Sequence, residues 1–230
     1  MADTGLTRSP KVQKGALVQL VESLNIPLPN IVPFQFNPEM VTRSMTPFNP
    51  LEVGESDRGL SAPQAQPFDP EQKISMKIEL DATDDLDADN PIAGQFGVRD
   101  RVAALEKMLF AESSPLGEVL EAAAALLGNS VTKRRSVPIT FLIFGVGRMV
   151  PVRLLNYSIE EKMFLPSLYA VQADVTLEMQ VLTPETFQCA SGPSVEIAKT
   201  VYELHRKQES ALALLHVANT TDELLALLPF

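Results

Sequence analysis

The sequence predicts an α+β fold, mainly β, built on an antiparallel barrel or sandwich with one or two packed helices and a helical C-terminal tail. Two observations carry that expectation. The segment Val171–Leu182 alternates strictly: Val171, Ala173, Val175, Leu177, Met179 and Val181 share one side, and Gln172, Asp174, Thr176, Glu178 and Gln180 the other. Lys73–Asp81 repeats the pattern, with Ile74, Met76, Ile78 and Leu80 opposite Ser75, Lys77 and Glu79. A two-residue period over such lengths is a half-buried strand. Long half-polar strands suit a wall with one packed face and one toward solvent or a lumen.

The remaining elements follow in chain order. Residues 1–14 form a polar N-terminal extension. Ala16–Val21 reads as a short strand. Asn25–Asn30, with Pro27 and Pro29, reads as a turn-rich connector, because proline cannot donate to a ladder. Ile31–Phe36 and Val41–Met45 read as further strands. Between Thr46 and Gln72 stand Pro47, Pro50, Pro63, Pro67 and Pro70 with Gly54 and Gly59, and no period. That is a long loop, and a loop of this size in a compact domain is expected to make contacts. Val98–Phe110 is expected to be helical, with Val98, Val102, Leu105 and Leu109 as its apolar stripe. A second helix, Leu116–Leu127, would stop at Gly128. Pro138–Phe144 is apolar enough for a strand buried on both faces. Gly145-Val146-Gly147 turns the chain into a strand over Val150–Ile159. Beyond Pro184 a helical pattern over Ser194–Leu215 presents Ile197, Val201 and Leu204, and Thr220–Glu223 has capping-box spacing for a last short helix, Glu223–Leu228. The expected division is thus 1–14, a β domain over 15–183 with the loop 46–72 and helices about 98–127, and a tail over 184–230 outside the β core.

Composition narrows the function classes. The 230 residues are 45% hydrophobic and carry a net charge of −10. That balance opposes binding to phosphate backbones, which needs clustered cations. The one basic cluster, Lys133-Arg134-Arg135, is too small and reads as a solvated loop. A single cysteine, Cys189, permits no internal disulfide and suits a reducing compartment. No apolar run has the length of a bilayer span or of a signal-peptide core. The expected setting is cytoplasmic.

No catalytic, metal-ligating or cofactor-binding set emerges. The acidic run Asp84–Asp89, aligned as a calcium loop from Asp85, has Asn90 where glycine is needed and Phe96 where the bidentate glutamate belongs. It reads as a solvated loop. His205 and His216 are the only histidines; on one helix they would stand ~16 Å apart, too far to share a metal. Gly145–Arg148 lies between two strands and is a hairpin turn, not a dinucleotide fingerprint. The expectation is a protein that is not an enzyme and takes no cofactor.

Three segments read in order carry a resemblance. They are Val32-Pro-Phe-Gln-Phe-Asn-Pro-Glu39; Lys73-Ile-Ser-Met-Lys-Ile-Glu-Leu-Asp-Ala-Thr-Asp84; and Pro138-Ile-Thr-Phe-Leu-Ile-Phe-Gly145 leading into Asn156–Asp174 with its Phe164-Leu-Pro-Ser-Leu-Tyr-Ala-Val171 hairpin. Together, over residues 14 to 183, they resemble the contractile injection system tube protein family, whose members are phage tail-like baseplate proteins. The resemblance implies a tube-type β-barrel assembling as a sixfold ring (a homo-hexamer) at the baseplate, where it initiates the tube by linking the spike or hub to it. It implies self-association and contacts with spike, tube and other baseplate proteins, but neither nucleic acid nor membrane insertion. The particle would be assembled in a bacterial cytoplasm and then released or held at a membrane. Unlike many members, this chain shows no LysM-like module after residue 183. Expected partner contacts are Gln35, Asn37, Glu39, Phe48, Phe68, Ile197, Val201 and Leu204, with the long loop and the tail supplying most of them. Two alternatives stand beside this reading: a main tube subunit stacked in many copies, and a soluble ligand-binding β-barrel.

Overall fold

A computed structural model describes residues 14–23, 26–49, 64, 66–111, 137–145 and 147–220. Seven strands form one antiparallel sheet: β1 (Ala16–Ser23), β2 (Ile26–Pro33), β3 (Val41–Thr46), β4 (Glu71–Asp81), β5 (Ile139–Ile143), β6 (Met149–Phe164) and β7 (Ala170–Val181), in the order β2-β1-β5-β6-β7-β4-β3. The described helices are α1 (Thr83–Asp87), α2 (Pro91–Phe96), α3 (Arg99–Lys107) and α4 (Pro193–Asn219), with a 3₁₀ turn at Pro184–Phe187. The fold is therefore mixed α+β and mainly β. The expected helix over Leu116–Leu127, the basic cluster Lys133–Arg135 and the last helix over Glu223–Leu228 lie outside the described residues, as do residues 50–63 of the long loop.

The expected closed barrel is not formed. β2 and β3 are the two ends of the sheet and do not pair with each other. Proline chemistry explains one end. From Ile26 onward the expected Asn25–Asn30 connector is part of β2, paired with β1 from Pro33↔Ala16 to Ile26↔Ser23. Backbone N–H groups alternate between the two edges of a strand, and Pro27, Pro29 and Pro33 all fall on the same parity. The ladder with β1 uses the other parity, so three outward donors are missing and β2 can only be an edge.

The sheet nonetheless curls strongly. Val41, Arg43, Gln72 and Ile74 line one small cavity with Leu142, Phe144 and Val150, although β3 and β5 are four places apart in strand order. The concave side holds the main core: Leu17, Val32 and Phe34 with Ile74, Met76, Ile78 and Leu80, the apolar side of β7, and Val102, Leu105 and Met108 of the α3 region. The alternating face of β7 is buried as its sequence pattern demands, with Val175, Leu177 and Met179 wholly inaccessible. In α3 the stripe ends on Met108 rather than Leu109, which is half-buried. Gln19 joins this interior by donating from Nε2 to the Met108 carbonyl at 3.0 Å.

The acidic run expected to be a loop contains α1, and α2 follows directly. Asn90 caps α2 by accepting from the Ile92 N–H at 3.0 Å, with Pro91 in the first turn. Gly97 ends α2 at φ 58°, and a β-carbon there would stand 2.0 Å from the Ala170 carbonyl oxygen. Only glycine allows the next N–H, of Val98, to reach that same carbonyl at 2.9 Å.

The tail is not separate from the β core. β5 is buried on both faces: Leu142 points into the concave core, whereas Phe141 points outward into a second cluster with Phe187, Val195, Ala198 and Val201. Val18, Leu20, Ile139 and Met149 pack against that cluster. The first half of α4 is therefore the outer cover of β1, β5 and β6. Its buried positions are Ser194, Val195, Ala198, Val201, Tyr202 and His205. That stripe differs from Ile197, Val201 and Leu204: Ile197 is 38% and Leu204 59% exposed. The expected stripe is thus corrected: the cluster around Phe141 turns Val195, Ala198 and Val201 inward instead.

Candidate assembly surface

Outside the α4 cover, the strands β3, β4, β7 and β6 present a bare face made of the polar parity of each strand. β4 contributes Glu71, Lys73, Lys77 and Glu79; β7 contributes Asp174 and Glu178; β6 contributes Arg153, Glu160 and Lys162. Both signs are interspersed, in contrast to the acidic chain as a whole. Asp174 sits centrally, bonded to Lys162 and, at 2.6 Å, to Lys77. The hydrogen bonds from Lys162 and Lys77 hold its carboxyl below the usual carboxylate range. As a surface network it contributes little stability, but it pins the cross-strand face.

Among the described strands this four-strand unit has two open edges. β3 pairs with β4 on one side only. β6 pairs with β7 almost throughout, but with β5 only over Met149–Val152. Along Arg153–Phe164, no described strand pairs with β6 on the side away from β7. A β-bulge at Leu155 marks the point where β6 leaves β5 behind. Leu155 itself is 48% exposed.

The β6–β7 hairpin tip is apolar. Phe164, Leu168 and Tyr169 are exposed there, and Met163 and Leu168 adopt left-handed backbone at φ 52° and 64°. The tip leans on α2 through a Phe96–Tyr169 edge-to-face contact at 5.4 Å. Ile92 and Phe96 extend the same apolar end. Met45 and Phe68, both 55% exposed, lie at the opposite end of the sheet.

The residues expected to meet partners divide into two groups. Gln35 and Asn37 are used within the subunit. Gln35 pairs with the Asp81 backbone: its Nε2 donates to Asp81 O at 2.6 Å, and its Oε1 accepts from Asp81 N at 2.9 Å. Arg101 donates to the same Gln35 oxygen at 2.7 Å and to Asp81 O at 2.6 Å, and is ion-paired with Asp85. Asn37 accepts from Gly15 N at 2.8 Å. The segment after β2 thus clasps the end of β4 by a side chain where no ladder forms. Burial works against the Asp81 carboxylate, yet hydrogen bonds from Thr83 and Gln172 and the Arg101 charge hold its pKa below the ordinary value. Glu39 lines an open groove of about 350 Å³ beside Lys77, Glu79 and Thr176. Phe68 and Leu204 are exposed, Ile197 partly so, Phe48 half-buried, and Val201 is core.

Replacing Gln35 with alanine would leave the Asp81 N–H without its partner in a half-buried site and remove one acceptor from Arg101. The expected cost is ~1–3 kcal/mol in urea unfolding. The Gln35→Ala/Arg101→Ala double mutant should fall short of additivity, because both singles break one network.

Among the described residues no group of three or more histidine, cysteine, aspartate and glutamate side chains could hold a metal ion, and no helix is long and apolar enough to cross a membrane. The two open edges and the apolar hairpin tip were not singled out from sequence. The length and parity of β6 were the available signal, but edges depend on which strands stop short. No protein-family model matches the chain, and neither does any curated protein.

Proposed function

We propose that this protein is a structural ring subunit of a bacterial contractile injection system, placed at the baseplate where spike or hub meets the inner tube. Its fold would be of the tube type, completed by neighbours rather than closed on itself. The observation that carries the proposal is the pair of edges left open among the described strands, β3 and the far half of β6, on opposite sides of a four-strand unit with one bare polar face. Copies that add edge to edge make a heterologous contact, which closes into a ring when the rotation per copy divides a full turn. The strand count is consistent with this: four antiparallel strands set β3 and β6 in opposite senses, so β6 of one copy meets β3 of the next antiparallel. The bare polar face then lines a continuous surface, and the apolar hairpin tips gather at one end of the ring, where another component can dock. The ordered resemblance of the Val32–Glu39, Lys73–Asp84 and Pro138–Asp174 segments to tube proteins supports the same assignment. No chemical step is asked of the protein.

Negative-stain electron microscopy of the purified chain tests the proposal, with closed rings as the expected result. Ser44→Pro and Met45→Pro refine it. In an edge strand one of two adjacent N–H groups faces the partner strand and the other faces out. One of these variants should therefore keep its folded circular dichroism spectrum and lose ring formation. A wild-type chain that stays monomeric at all concentrations, with a ligand in its groove, would overturn the assignment.

A further inference from the structure

The two edges left open among the described strands carry matching backbone chemistry. In an antiparallel strand the N–H and C=O of one residue point to the same edge, and the direction alternates along the chain. Just past β7, the Leu182 N–H donates to the Pro151 carbonyl of β6 at 2.9 Å, so even-numbered residues of β7 turn toward β6. The Ala82 N–H donates to the Val171 carbonyl at 2.9 Å, so odd-numbered residues of β7 and even-numbered residues of β4 turn toward each other. Glu161 lies opposite Ala173, and Ile159 opposite Val175, so both aim their backbone groups away from β7. Arg43 lies opposite Ile74, and Met45 opposite Gln72, so both aim theirs away from β4. At each edge the outward groups therefore belong to residues whose side chains share the concave side with Ile74 and Val175. A neighbouring copy can pair with hydrogen bonds and faces in step.

That parity leaves registers two residues apart, and side-chain chemistry selects among them. Arg43 and Glu161 are both exposed, and among the described residues neither is ion-paired. The Gln72 amide oxygen can accept from the Arg43 Nε at 2.9 Å, which orients the guanidinium without neutralising it. The corner around Arg43 is basic: with Arg148 and Arg206 it acts on His205 against the one carboxylate of Glu209. The far half of β6 instead places Glu160 and Glu161 side by side. Opposing Arg43 to Glu161 sets Met45 against Ile159 on the same side. On the polar face it sets Thr42 against Lys162, Ser44 against Glu160 and Thr46 against Ser158. One step along, Arg43 would meet Ile159 and Val41 would meet Glu161. One step back, Arg43 would meet Met163 and Met45 would meet Glu161. A second step along runs Met45 into the bulge at Leu155. Only the first register puts charge on opposite charge and apolar on apolar.

We propose that β3 of one copy and β6 of the next are held in register by an ion pair between Arg43 and Glu161, with Met45 packed on Ile159 beside it. This inference rests on the ring reading above and specifies its interface. The backbone ladder supplies attachment in any register of the right parity, whereas the ion pair and the apolar pair beside it choose one. The same parity decides between the two proline variants. The Met45 N–H faces outward and the Ser44 N–H faces β4, so Met45→Pro should stay folded without forming rings, and Ser44→Pro should lose part of the fold. The reverse result would overturn the pairing.

Charge reversal and cysteine cross-linking of the full chain test the register. Arg43→Glu and Glu161→Arg should each keep a folded circular dichroism spectrum and lose rings in negative-stain images, and the double variant, with the charges exchanged, should regain them. For cross-linking, exposed Cys189 is first replaced by serine. Ser44 and Glu160 then form a pair whose backbone bonds point to their own sheets, the narrow kind with Cα atoms ~4.5 Å apart, which a disulfide spans. Ser44→Cys with Glu160→Cys should give covalent oligomers on mild oxidation. Ser44→Cys with Ser158→Cys, one step out of register at ~7–8 Å, should not. Wild-type rings that survive both single reversals, a double variant that stays without rings, or cross-linking of the Ser158 pair instead would overturn the register and leave the edge contact standing. A wild-type chain that forms no rings removes both. The cysteine pairs decide the register even if a reversed charge prevents folding.

Discussion

Leu177→Asp should unfold this protein or leave it barely folded at room temperature. Leu177 lies at the centre of β7, wholly inaccessible, between Met76 of β4 and Tyr157 of β6 in the register. An aspartate there places a carboxylate in an apolar cluster with Ile74, Val175 and Met179. Breaking the interior with an unpaired charge costs ~3–5 kcal/mol, a large part of a typical domain's 5–15 kcal/mol, even if the group protonates instead. Thr176→Asp, one residue away on the exposed face, is the matched control and should change stability by less than ~0.5 kcal/mol. Urea unfolding followed by circular dichroism separates the two. Similar midpoints for both variants would mean that β7 is buried on the opposite parity.

The second large effect concerns the tail. A chain ended after Pro184 should lose most of its stability, because the outer face of β5 would be stripped. Phe141, now 2% exposed, would meet water together with Val18, Leu20 and Met149, and Val195, Ala198 and Val201 would be gone. Each fully buried large apolar side chain contributes ~1.5–3 kcal/mol, so the loss of several is comparable to the whole stability of a domain. A chain ended after Gln208 keeps this cluster, the Tyr202–Asp69 hydrogen bond and His205. It should melt within a few degrees of the full-length protein. Differential scanning calorimetry of the two truncations gives the answer. Equal stability of the shorter chain would mean that α4 does not cover the sheet.

These two sites also divide what could be read in advance from what could not. β4 and β7 were legible because each residue's burial there depends on parity alone, and both strands lie mid-sheet with one face bare. β2 was misread because Pro27 and Pro29 signal a turn whenever the edge they face is unknown; on the outer edge of a sheet the same prolines are tolerated. The candidate contacts Gln35 and Asn37 became internal clasps for a similar reason. A polar side chain after a strand looks free until the backbone it meets, Asp81 and Gly15 here, is placed beside it.

The sequence by itself determined the α+β class, the strands β4 and β7 with their inward and outward sides, β5 as a strand buried on both faces, and the helical character of residues 194–215. Those properties follow from local periodicity and from the side chains' own transfer energies. Only the tertiary structure decided that the sheet stays open, which rotation of α4 is buried, and that β6 outruns β5 among the described strands. Each of these depends on which distant strand stands alongside. Pairing across 22 residues, as between Gly15 and Asn37, or 133, as between Asp69 and Tyr202, has no signature in the spacing of either partner.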